Sequence, residues 1–217
     1  SSLFFKSHNT HTKYMIQYFT ADYVIPVTSD PIKNGIVAIE DGKIIGIYKE
    51  LDSSIKADVK SLSGVLIPGF INTHCHLELS HLFNVIPEKT GLVEFIGMVM
   101  ESRGNEVTKI NKAMKNADDL MFNNGIQAVG DHANTSLSAD IKHNSNIIYH
   151  TFVEIIGLRE EEVNAKIDEA RDIEFYFNSM HSSITPHAPY SCSKSLFKAF
   201  KKSITEDNII SIHNQES

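Results

Sequence analysis

Apolar positions change their spacing along this chain, and the change divides it. From Gln17 to Tyr48 they come in short runs, "YFTADYVIPV" and then "GIVAIEDGKIIGI", separated by polar turns. Such runs predict strands, and Asp41-Gly42 between two apolar stretches predicts a hairpin, because glycine accepts the positive φ of a tight turn. A polar connector, "KELDSSIKADVKSLSG", follows. From Val65 onward, strand-like runs alternate with helical spacing. Residues 65–74 read as one strand that ends in a histidine pair. Leu92, Phe95, Ile96, Val99 and Met100 recur at helical intervals, as do Ile110, Ala113, Met114, Ala117, Leu120 and Met121, with Gly125 as a stop. "IQAVGDH", "NIIYHTFVEIIG", "SSITPHAPYS" and "NIISIHNQES" predict four more strands; Val163, Ile167 and Ala170, and then Leu196, Ala199 and Phe200, mark helices between them.

This alternation predicts an α/β fold with a parallel sheet and crossover helices. Three segments are expected: a polar tail over 1–14, a small β-module over 15–64, and the strand–helix alternation over 65–217. The polar residues suited to chemistry fall at the ends of the predicted strands: His74 and His76, Asp131 and His132, Glu154, His187, and His213 with Glu216. In open parallel sheets and closed barrels alike, that edge carries the site.

Composition narrows the classes. The 217 residues are 41% hydrophobic and 22% charged, enough apolar material for a substantial core. The net charge of -7, with no long basic run, gives no footprint for nucleic acid. Two cysteines far apart, Cys75 and Cys192, argue for a reducing compartment over a disulfide framework, so a cytoplasmic location is expected. No apolar run approaches the length of a spanning helix, and "SSLFFKSHNTHTKY" has no continuous apolar signal region, so no membrane partner is expected.

In "PGFINTHCHLELSHL" the side chains of His74 and His76 point to one face of a strand, with Cys75 on the other. Alone, the pair fits two hydrogen-bonded structural histidines as well as two metal ligands. A further histidine, His213, ends another strand at the same edge, and imidazole is the commonest protein ligand for metals.

"PGFINTHCH", "TPHAPYSCS" and "SIHNQES", in that order, resemble the amidohydrolase superfamily, specifically its deaminase and chlorohydrolase branch. The resemblance implies a (β/α)8 barrel beside a small β-sandwich, of which this chain holds about five β/α units. It implies one divalent metal, zinc or iron, on His74, His76 and His213, with Glu216 as the proton shuttle and His187 touching substrate. Glu78 and His81, close behind the metal pair, either line the pocket or cap the loop. A bound metal brings the pKa of water from about 15.7 to about 7, and a neighbouring carboxylate can carry the proton to a ring nitrogen and on to the departing amine.

The activity so implied is hydrolytic deamination of an amino-substituted heterocycle by a metal-bound hydroxide. "HCHLELSHL" looks most like the aminofutalosine deaminases, which act on an adenine-type nucleoside. Alternatives are deamination of S-adenosylhomocysteine, methylthioadenosine or guanine, triazine dechlorination, or a non-catalytic scaffold of the same fold. A small-molecule substrate and a homodimer are the expected partners. Three of the eight units that a barrel needs are not in this sequence, so the chain is expected to be part of a longer protein.

Overall fold

The computed structural model describes residues 15–104 and 106–215; the expected tail at 1–14 and the proposed shuttle Glu216 lie outside the described residues. Two compact units divide at Gly69/Phe70.

The first unit is all β. Strands β1 (Gln17–Thr20), β2 (Tyr23–Val24), β3 (Ile32–Lys33), β4 (Ile36–Glu40), β5 (Lys43–Tyr48), β6 (Val59–Ser61) and β7 (Val65–Leu66) form two sheets, ordered β5-β4-β1-β6 and β3-β2-β7. The β4–β5 hairpin turns at Asp41 and Gly42, where Glu40 pairs with Lys43 and both turn residues have positive φ (50° and 74°). Phe19, Ala21, Val24, Val37 and Ala38 form its buried interior.

The second unit is α/β. Its elements are β8 (Phe70–Cys75), α1 (Leu92–Ser102), α2 (Val107–Asn123), β9 (Ile126–Ala133), α3 (Ala139–His143), β10 (Ile148–Ile155), α4 (Val163–Glu174), β11 (His181–Pro186) and α5 (Lys194–Ser203). The sheet order is β11-β10-β9-β8, and all three neighbouring pairs are parallel. Valine, isoleucine and tyrosine side chains on one face of the sheet pack against helices. Val163, Ile167 and Ala170 of α4, with Leu196 and Phe200 of α5, cover Val153, Ile155 and Ile184; Ile110 and Met114 of α2 cover Val129 and Tyr149.

Two expectations need correction. The run 65–74 is not one strand: Val65 and Leu66 pair with β2 in the first unit, and the parallel sheet starts anew at Phe70. Pro68 and Gly69 separate the two, a proline having no N–H to give a ladder. The fifth strand over 209–213 does not form a ladder either. That segment runs beside β11 but is held mainly through side chains: Ser183 Oγ donates to the Ile209 carbonyl at 2.6 Å, and the Ser211 N–H donates to Thr185 Oγ1 at 3.1 Å. Thr185 Oγ1 also contacts the Ser211 carbonyl.

Candidate metal centre

His74 lies in β8 and His76 is the first residue past its end. Strand alternation puts both rings on the face of the sheet away from the helices, with Cys75 on the other face opposite Asp131. The ladder between β8 and β9 is irregular from Asn72 to Cys75, and the Thr73 carbonyl oxygen comes so near Gly130 that a Cβ there would lie 2.9 Å from it. Glycine at 130 is what lets β8 approach and deliver His74. His213 arrives on the extended segment after α5, where its N–H donates to the His187 carbonyl at 2.8 Å.

These connections bring three imidazoles together. Ring centroids are 5.1 Å apart for His74–His76, 4.7 Å for His74–His213 and 5.1 Å for His76–His213. One ligand atom from each lies within 4.8 Å of the others. Burial brings the His76 imidazole down to about 4, so at neutral pH it is uncharged and carries a lone pair. Three nitrogen donors that close to one another, in a partly open site, suit a divalent ion such as zinc. The donor set fits the metal that the sequence implies.

A second, overlapping group, His132, Glu154 and His213, backs the first. Glu154 Oε1 accepts from His132 Nδ1 and from His213 Nε2, each at 3.0 Å, and Oε2 accepts from Asn134 Nδ2 at 2.8 Å. A carboxylate only accepts, so those ring nitrogens carry the protons, and a neutral His213 has its lone pair on Nδ1. His132 Nε2, in turn, lies 3.1 Å from Ser211 Oγ. Burial pushes the Glu154 carboxyl up, but the bonds from His132 and His213, with the nearby His76 and His187, outweigh it and hold the group well below the usual carboxylate range.

His187 stands beside this cluster, its ring 4.7 Å from that of His213 and its Nδ1 2.7 Å from Ser191 Oγ. Glu78 is buried and engaged in a loop: its carboxylate accepts from the backbone of Asn134 and Thr135 at 3.1 and 3.2 Å and from Thr135 Oγ1 at 2.8 Å. His81 Nδ1 lies 3.1 Å from the Glu78 carbonyl. A cavity of about 750 Å³ opens beside His76, walled by Leu79, Leu82, Phe83, Ile86 and Phe95 among others. In the sequence, Glu154 is marked only by its place at a strand end, and Asn134 carries no signal of its own.

A family model described as "Amidohydrolase family" matches residues 65–217. The chain belongs to the amidohydrolase family. It is 26% identical over 193 residues to an adenosine deaminase of Helicobacter pylori, covering 84% of this chain and 46% of that relative. Among solved structures it resembles the H. pylori aminofutalosine deaminase in complex with methylthio-coformycin, with a TM-score of 0.72 and 21% identity over 91% of this chain and 50% of that one. It also resembles a mutant atrazine chlorohydrolase of Arthrobacter aurescens complexed with zinc and atraton, with a TM-score of 0.72 and 16% identity over 92% of this chain and 53% of that one. At those identities the structural likenesses bear on the fold alone. The chain spans about half the length of these amidohydrolase relatives. No helix among the described residues is long and apolar enough to cross a membrane.

Proposed function

We propose that this chain forms the metal-binding half of a hydrolytic deaminase acting on an amino-substituted heterocycle, with an adenine-type nucleoside such as aminofutalosine as the substrate class. The convergence of His74, His76 and His213 at one edge of a parallel sheet, in an amidohydrolase chain, carries this reading. The complete protein then has a (β/α)8 barrel beside a β-sandwich, and these three histidines hold one zinc or iron ion. When bound, such an ion supplies Lewis acidity toward water and toward the ring carbon under attack.

The chain's own residues do the rest. Glu154 orients His213 and, through His132, ties it to Ser211, which is how an outer carboxylate fixes a ligand's tautomer and direction. Glu216, three residues beyond His213, takes one proton from water and gives it to the ring nitrogen, then carries the second proton from the attacking oxygen to the departing amine, leaving a ring carbonyl and ammonia. His187, its ring fixed by Ser191, contacts the heterocycle. The apolar walls of the cavity beside His76 receive a flat, weakly polar ring and exclude water around it. Glu78 clamps the loop at 134–135, and His81 Nδ1 meets the Glu78 carbonyl.

The test is ammonia release by the full-length protein against a panel of purines, adenosine thioethers and aminofutalosine. Turnover of one or more adenine-type nucleosides is expected. Metal-loaded, folded protein that deaminates none of the panel would overturn the assignment.

A further inference from the structure

On the helix-facing side of the sheet, directly behind the imidazoles, Asp131 grips the chain beside His76. Its Oδ1 accepts the Leu77 N–H at 2.7 Å, and its partner across the β8–β9 ladder is Cys75. The Cys75 side chain also hydrogen-bonds that carboxylate, so the residues on both sides of His76 meet it. Its Oδ2 lies 2.6 Å from Lys142 Nζ, and both side chains are fully buried. Lys142 also donates to Thr151 Oγ1 of β10 at 3.0 Å, and its ammonium stands 4.8 Å from the Phe177 ring centre and 5.5 Å from that of Tyr149.

Such a pair is costly to bury, and apolar side chains of equal volume commonly pack as well or better. Stability alone does not account for it. What the carboxylate provides, and a methyl group cannot, is a charge-assisted bond to the backbone N–H of Leu77, the residue after His76. Lys142 neutralises that carboxylate and fastens it to β10 and α3. We propose that the Asp131–Lys142 pair is a positioning device for the metal centre: it fixes the backbone from Cys75 to Leu77 and so sets the direction of His76. The inference rests on the metal-binding reading given above.

Two double variants of the full-length protein separate acceptor from charge. D131N/K142M keeps an oxygen for the Leu77 N–H and removes both charges; D131A/K142M removes the acceptor too. The readouts are the zinc dissociation constant by chelator competition and the absorption spectrum of the cobalt-substituted protein. D131N/K142M, left with only a neutral acceptor, should bind zinc about 3- to 10-fold more weakly than wild type, and D131A/K142M about 10- to 100-fold more weakly, the usual effect of losing a partner behind a ligand, with an altered cobalt spectrum. Should D131A/K142M fail to fold, D131E keeps both charges but displaces the acceptor, and the same weakening and spectral change are expected of it. Wild-type zinc affinity and cobalt spectrum in a folded D131A/K142M or D131E would overturn the proposal alone. A wild-type protein that binds no zinc would overturn the metal reading and this proposal together.

Discussion

His213 Nε2 lies 3.0 Å from Glu154 Oε1, and the same oxygen accepts from His132 Nδ1 at 3.0 Å. One buried carboxylate thus orients a candidate ligand and braces it against a second imidazole. E154A leaves both rings without their acceptor. Zinc affinity should fall by about 10- to 100-fold, while E154Q, which keeps one oxygen, should lose less. Chelator competition measures both, and equal affinity in wild type and E154A would reject the orienting role.

Glu216 is separable from the ligands by chemistry. E216Q is expected to retain its full metal content and to lose about 10²- to 10⁴-fold in turnover, the range for removing a general acid–base. Ammonia release alongside metal analysis tests this, and near-normal turnover would exclude the shuttle.

The core between the sheet and α4–α5 is tight at Phe177, which has no exposed surface. F177A should cost about 3–5 kcal/mol, the sum of lost burial and a cavity that the surrounding helices cannot close. Urea unfolding gives the value directly; a loss below about 1 kcal/mol would mean that the site collapses freely.

His150 offers a pH test away from the metal ligands. Burial, then the neighbouring His181, lowers its pKa below the ordinary 6.5. A histidine lowered in the fold contributes stability that is present above its unfolded value and is lost as pH falls through its folded one. The urea midpoint should therefore drop as pH falls below 6.5, and H150Q should show a shallower drop. Parallel curves for wild type and variant would contradict this.

Much of this arrangement was legible because burial leaves a periodic trace. The spacing of Val163, Ile167 and Ala170 gave α4, whose buried residues are those three. Asp41-Gly42 gave its hairpin because few residues tolerate that backbone. His74 in β8 and His76 just past its end were visible through a period of two. Other features leave no such trace. Val65–Leu66 and Phe70–Cys75 are similarly apolar, and only pairing in different sheets separates them. Residues 209–213 have strand composition, yet they join β11 mainly through Ser183 and Thr185 hydroxyls. Lys142, in a helix of five residues, looks like any surface lysine until Asp131, Thr151 and two aromatic rings enclose it.

The metal content of purified wild-type and H213A protein bears most directly on the account. Elemental analysis of protein prepared without chelator should find about one zinc or iron per chain in the wild type, and none in a folded H213A. Metal-free wild type, or the same metal content in both, would contradict a centre built on His74, His76 and His213.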